Sequence, residues 1–389
     1  RWEWSDDELQ MTVHLRRDVR FSDGEPLTAD DVVYTWQMLM DENITDGEMR
    51  AYYRHCSDVE KIDDYTVRFN FPRVFYENES RALGVSLHPK HFYEKYTPSQ
   101  IREHPALVVG TGPYMMPDPT KYTPGEQIEL VRNPRYWGPE GPWDRIIYRI
   151  IEKDTAQLIA FRNGDIDMLS ALPDQHVQMV KDEELLARTQ HYVYEHVRSG
   201  YLYIGWNRER KSAEGEGFEP GVFADKRVRQ AMTLMLDRQR IIDEIFLGFA
   251  RIADGPFSPL WKQHNPDIEP WPYDPDRGVA LLLEAGFTRD SDGRIITPEG
   301  EPFTFDLMYP AGSDLYQSMM LMVKDNYART GINANLKPTK WALLLGNLKQ
   351  RSFDACVLGW GAGGIEGSTR AILRRATIAP ATSTRNWTR

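Results

Sequence analysis

Cysteine is scarce: Cys56 and Cys356 are the two in 389 residues. That excludes a disulfide-stapled scaffold and a Cys-x-x-Cys metal cage, and it leaves open whether the two pair with each other. Long apolar runs are missing as well. A membrane-spanning helix needs about 20 consecutive apolar residues, and the chain offers only short ones. Basic charge is in deficit, with 47 Lys and Arg against 58 Asp and Glu and a net charge of −11. A nucleic-acid surface needs a basic stripe, so that class of partner is excluded. Several catalytic signatures are absent: there is no Gly-x-Ser-x-Gly elbow, no His-Glu-x-x-His pair and no phosphate loop ending in Gly-Lys. No repeat of fixed period is visible. Aromatic residues, in contrast, are plentiful at 19 Tyr, 15 Phe and 11 Trp, far more than a disordered chain carries.

Length sets the scale at two or three domains. Leu9–Arg16 alternates apolar and polar residues and predicts a half-buried strand. Asp23-Gly24 then marks a turn, and Thr28-Ala-Asp-Asp31 opens a helix with a capping box, its apolar face made by Val32, Val33, Trp36 and Leu39. Further strands are predicted over Tyr65–Phe71, Gln127–Arg132 and Ile146–Ile151, a helix from Thr155 to Phe161, and a strand over Asp165–Leu169. Tyr201–Asn207 is an aromatic strand, Lys211–Gly221 a charged, glycine-rich loop, and Asp225 an N-cap. From Arg277 the order is helix, strand (Phe303–Tyr309), helix (Asp314–Arg329), strand (Ile332–Lys337), helix (Trp341–Leu348) and strand (Asp354–Trp360). Such alternation predicts βαβ crossovers and an α/β lobe. Residues 368–389 hold five arginines and no acid, so the tail is set apart as an atypical basic segment. Both ends of the chain read as incomplete.

Four segments in this order carry a resemblance. They are Thr12–Val33 with its Phe-Ser-Asp-Gly-Glu-Pro-Leu-Thr-Ala-Asp-Asp core, Gly110-Thr-Gly-Pro-Tyr114 with Arg132–Gly138, Asp225-Lys-Arg-Val-Arg-Gln-Ala with Leu236-Asp-Arg238, and Leu281–Phe287 leading to Gly359-Trp360. Over residues 9 to 361 the chain resembles the family 5 extracellular solute-binding proteins of ABC importers, whose members take oligopeptides, dipeptides and nickel complexes. The resemblance implies an α/β, two-lobed periplasmic-binding-protein-like fold of type II with an extra small domain. Residues 1–105 would form that extra subdomain of the first lobe, 106–204 the first lobe proper and 205–367 an incomplete second lobe.

Most matching motifs read as turns and caps rather than sites. His88 and His91 straddle Pro89 and lack metal-ligand spacing, so no metal or cofactor is expected. Met319, Met320 and Met322 read as core. The glycine cluster Gly359-Trp-Gly-Ala-Gly-Gly364 is the stronger candidate. In the resembling peptide binders the strand with this Gly-Trp pair runs along the bound peptide, and bare glycines permit backbone approach beside an apolar Trp face. Gly359, Trp360 and Gly361 are therefore candidate ligand contacts. In those binders an aspartate past the Trp holds the peptide amine; here Gly363 stands near that place, and Glu366 is the nearest acid. Tyr203, Trp206 and Asn207 fall where the family chain first crosses between lobes and form a second candidate set.

The resemblance implies a non-enzymatic, monomeric binder of a peptide or similar small solute that delivers it to membrane permease subunits. It would act in the periplasm or outside the cell, with a lipid anchor as one arrangement. The alternatives are an α/β hydrolase with a carboxylate pair, which is defined by separation in space rather than by motif, and a solute-sensing receptor on the same fold.

Overall fold

A computed structural model of the chain describes residues 1–45, 47–103, 108–122, 125, 127–193, 200–211, 217–259 and 264–360. The chain divides into two compact units, Arg1–Ile150 and Ile151–Arg389.

In the first unit, β1 (Trp2–Trp4) and β2 (Gln10–His14) precede helices α1 (Ala29–Met40) and α2 (Gly47–Tyr53). Strands β3 (Asp58–Asp63) and β4 (Thr66–Asn70) follow, then the short helices α3 (Asn78–Leu83), α4 (Lys90–Tyr93) and α5 (Pro98–Glu103). The strands form an antiparallel sheet in the order β1-β2-β4-β3. Register sets Met11 against Phe69 and Val13 against Val67, so the alternation read in the sequence delivers one apolar face. That face meets Ala29 and Val32 of α1 in a core completed by Val59 and Phe71.

The start of α1 shows how a motif becomes tertiary structure. Asp31 is buried; its Oδ2 accepts the Thr28 backbone N–H at 2.8 Å, the capping-box arm that was predicted. Its Oδ1 reaches out of the helix and accepts the Lys90 backbone N–H at 2.9 Å. One carboxylate thus fixes the helix start and staples it to α4. Upstream, Gly24 holds φ +106 in the predicted turn, a left-handed conformation that side chains disfavour.

A second, three-stranded antiparallel sheet joins β5 (Tyr114–Met115), β6 (Ile128–Arg132) and β7 (Arg145–Tyr148). Buried Asn133 donates to the Gly112 carbonyl at 2.8 Å and accepts the Arg135 N–H at 3.0 Å. The Gly-Thr-Gly-Pro and Asn-Pro motifs are therefore two sides of one junction.

In the second unit, helices α6 (Asp154–Asn163), α7 (Pro173–Met179) and α8 (Glu183–Arg188) lead to β8 (Tyr201–Trp206) and the pair β9 (Glu209–Lys211) and β10 (Phe218–Pro220). Helices α9 (Lys226–Leu234), α10 (Arg238–Glu244) and α11 (Pro275–Glu284) come next, followed by the hairpin β11 (Thr288–Arg289) and β12 (Ile295–Ile296). The unit then runs β13 (Thr304–Pro310), α12 (Asp314–Arg329), β14 (Asn333–Thr339), α13 (Trp341–Lys349) and β15 (Ala355–Trp360). β13 pairs in parallel with both β14 and β15, as the predicted crossovers require, and β15 pairs antiparallel with β8. Met319 and Met320 lie in the main core with Phe303, Phe305 and Tyr327.

Two sequence expectations change. Asp165–Leu169 forms no strand, because Gly164 ends α6 in a left-handed cap at φ +79 and the Asp165 N–H folds back onto the Ala160 carbonyl at 2.8 Å. The charged stretch from Lys211 is flanked by paired strands, since β10 lies antiparallel to β9.

Candidate functional site

Strand period decides which of the candidate residues share a surface. Neighbouring side chains in β8 and β15 point to opposite faces. In the antiparallel register Tyr201 stands opposite Trp360, Leu202 opposite Gly359, and Tyr203 opposite Leu358. Tyr201, Tyr203, Leu358 and Trp360 therefore occupy one face, and Leu202, Ile204 and Trp206 the other.

On the first face, the rings of Tyr203 and Trp360 lie 6.4 Å apart and within 8° of parallel. Tyr201 adds a tilted contact to Tyr203 at 5.9 Å. Beneath them Leu358, Cys356 and Met308 pack against Leu344 of α13, so the stack rests on a filled layer. Burial pushes the Tyr203 hydroxyl well above the ordinary phenol value, Cys356 adds to the rise, and a hydrogen bond with Trp360 opposes it. Burial also raises Tyr201. Both phenols are neutral at physiological pH, and the surface is apolar and polarisable rather than charged.

Gly359 is exposed beside this stack. A Cβ there would stand 2.9 Å from Leu202 Cδ2 and 3.4 Å from the Tyr201 carbonyl oxygen. The close approach of β8 is thus one reason for glycine at this position.

The strand carrying Gly359 and Trp360 has a second property. β15 pairs with β8 from Ala355 to Trp360, but with β13 only at Ala355 and Cys356. From Val357 to Trp360 its other edge has no strand partner among the described residues. Unpaired backbone N–H and C=O groups on such an edge are a template for an incoming strand.

Trp206 and Asn207 serve the fold. Trp206 is only 5% exposed, with its ring 4.7 Å from Phe223 and 5.7 Å from Phe305. Three positions separate it from Tyr203, and an odd spacing in a strand puts the two side chains on opposite faces. The two candidates therefore do not share a face of β8, and the Trp206 side chain packs in the core. Asn207, also buried, donates its amide to the Arg351 and Phe353 carbonyls at 3.1 and 2.7 Å and accepts the Glu209 N–H at 3.3 Å. Its side chain is spent on holding the turn that feeds β15. Gly361 and Glu366 lie outside the described residues. Tyr201, which the sequence reading passed over, belongs with Tyr203; the i, i+2 alternation of β8 carried that signal.

Among the described residues no group of three His, Cys, Asp or Glu side chains is arranged to hold a metal. His91 contacts Asp23 at 2.8 Å. Cys56 and Cys356 are free, buried thiols, each pushed up to about 12 by burial. No described helix is long and apolar enough to cross a membrane.

Comparison with known proteins agrees with this architecture. The Bacillus subtilis (strain 168) oligopeptide-binding protein AppA is 27% identical over 362 residues, covering 90% of this chain and 63% of the relative. The periplasmic oligopeptide-binding protein OppA of Salmonella typhimurium (strain LT2) is 28% identical over 388 residues, covering 92% and 65%. The chain thus spans slightly under two thirds of the length of these relatives. The solved structure of Bacillus subtilis AppA in complex with a nonapeptide matches with a TM-score of 0.82 at 25% identity, covering 98% of this chain and 75% of that one. The α/β fold is that of the type II periplasmic binding proteins. The family model described as bacterial extracellular solute-binding proteins, family 5 middle, matches residues 1–373, and the chain belongs to that family.

Proposed function

We propose that the chain is the ligand-capturing part of a substrate-binding protein of an ABC importer, and that its ligand is a peptide bound in extended form along β15. The observation that carries the reading is the edge of β15 from Val357 to Trp360, which has no strand partner among the described residues on the side away from β8 and is flanked by the Tyr203–Trp360 stack. Strand pairing uses only ligand backbone, and an aromatic face accepts many side chains, so the combination suits a sequence-tolerant peptide binder. The names of the two oligopeptide-binding relatives support the same class.

The family consists of solute-binding proteins, which supports a non-enzymatic role for this chain. In that role it works as a monomer in the periplasm or at the outer cell surface, free or lipid-anchored, and hands the solute to permease subunits. We assign ligand contact to Gly359, Trp360, Tyr203 and, with them, Tyr201. Gly361 and Glu366 follow Trp360 in sequence and are proposed as further contacts, Glu366 for a peptide amine. The lobes are proposed as 1–105 with 106–204, and 205–367.

A thermal-shift screen against di- to pentapeptides, sugars and metal chelates tests the class. A ligand that binds only the native state at about 100 times its Kd adds about 2.7 kcal/mol. A shift with peptides alone is the expected result; a shift confined to sugars or chelates overturns the peptide reading.

A further inference from the structure

A cavity in the second unit shares no lining residue with the aromatic face of β15. It has a volume of about 150 Å³ and sits between the start of α10 and the Pro270-Trp-Pro-Tyr273 segment. Leu236 and Trp271 brace it against the main core, and Ile252, Pro270 and Tyr273 complete its apolar wall. Among the described residues one cation lines it, Arg238, beside the polar Asp237 and Gln239. A guanidinium has five N–H donors in a rigid fork. Among the described residues Arg238 meets one acceptor, the Trp271 carbonyl, and no carboxylate within ion-pair distance. The adjacent acid is already engaged, because Asp237 accepts the Arg240 N–H at 3.0 Å and caps α10. Burial pulls the Arg238 value down, with only the Tyr327 phenol opposing. An arginine held partly out of water without a counter-charge retains unspent capacity for an anion.

We propose that this cavity is a second binding site, for a small carboxylic acid carrying one ring or a short branched chain. The Arg238 fork takes the carboxylate in two parallel hydrogen bonds, and the Trp271, Ile252 and Leu236 walls take the apolar body. Size agrees: a cavity of about 150 Å³ accommodates one benzene ring. An inorganic anion would leave those walls wet, and a neutral ring would leave the guanidinium unpaired. The site is independent of peptide capture at β15 and stands whether or not that reading holds.

The test uses the 389-residue chain and benzoate as probe, followed by saturation-transfer NMR and calorimetry. Benzoate is expected to saturate one site at least about tenfold more tightly than benzamide or sulfate. Ile252→Phe, which fills the cavity and leaves the arginine untouched, is expected to weaken benzoate at least tenfold without changing any peptide response. Arg238→Lys, which keeps the charge and loses the fork, is expected to weaken it similarly; if that variant fails to melt cooperatively, Ile252→Phe alone decides. Equal binding of benzoate and benzamide, equal competition by sulfate, benzoate binding unchanged in Ile252→Phe, or no saturable binding would each overturn the proposal.

Discussion

Tyr203 and Trp360 stand on adjacent strands with rings 6.4 Å apart and nearly parallel, one step out of direct register, since Trp360 faces Tyr201 and Tyr203 faces Leu358. Diagonal pairs of this kind are within reach of large aromatic side chains. The stack lies at the end of β15 that has lost its β13 partner. An apolar platform and a backbone edge without a strand partner among the described residues therefore meet at one place, which is the physical basis of the peptide reading.

Trp360→Ala is expected to weaken peptide binding about tenfold or more, in line with about 1–2 kcal/mol for an aromatic contact and the apolar area it covers. Trp360 is only half-buried, so the melting temperature should move by only a few degrees. Calorimetric titration and a melt on the same sample separate the two. Lost stability with unchanged affinity would make Trp360 a structural residue.

The opposite face gives the converse result. Trp206→Ala removes a ring packed against Phe223, Phe305 and Tyr327 and should cost about 3–5 kcal/mol. Chemical denaturation measures it. A cost below about 1 kcal/mol would mean that the ring is not in the core.

Asn207→Ala should cost about 1–3 kcal/mol, because the partly buried Arg351 and Phe353 carbonyls lose their donor. It should also weaken peptide binding by loosening the turn before β15. Replacement by Asp restores size but not the N–H donors, and is expected to rescue neither property.

The two thiols set a limit at alkaline pH. Each is raised from 9.0 to about 12 in the folded chain by burial, so the unfolded chain ionises first. The thiols' contribution to stability is full below pH 9 and is lost progressively between pH 9 and about 12. Alkylation of Cys56 and Cys356 at pH 8 should accordingly be slow in the folded chain and fast in denaturant. Prompt reaction of either under native conditions would contradict its burial.

Much of this was legible in sequence. The helix Asp314–Arg329 was read to the residue, because a 16-residue segment repeats its apolar spacing over several turns. The Asp31 cap followed from three local residues, and the parallel strands of the second unit from alternation with helices. What was not legible depends on distant pairing. The bond from Asp31 to Lys90 cannot be read from a local window. That β13 pairs with β15 only at Ala355 and Cys356 is a fact of sheet geometry with no sequence mark. Trp206 and Tyr203 stand together as candidates through the place of their strand in the resembling family, and the strand period separates their side chains. The strand expected at Asp165–Leu169 does not form, because the left-handed Gly164 turns the chain back on its helix.

The measurement that bears most directly on strand-like capture is a calorimetric scan of one tight-binding pentapeptide with backbone N-methylation at successive positions. N-methylation removes a donor without changing the side chain. Strand pairing along β15 predicts that methylation at alternate positions weakens binding about tenfold or more while the intervening positions change it far less. Equal affinity at every position, or equal loss at every position, would contradict the account.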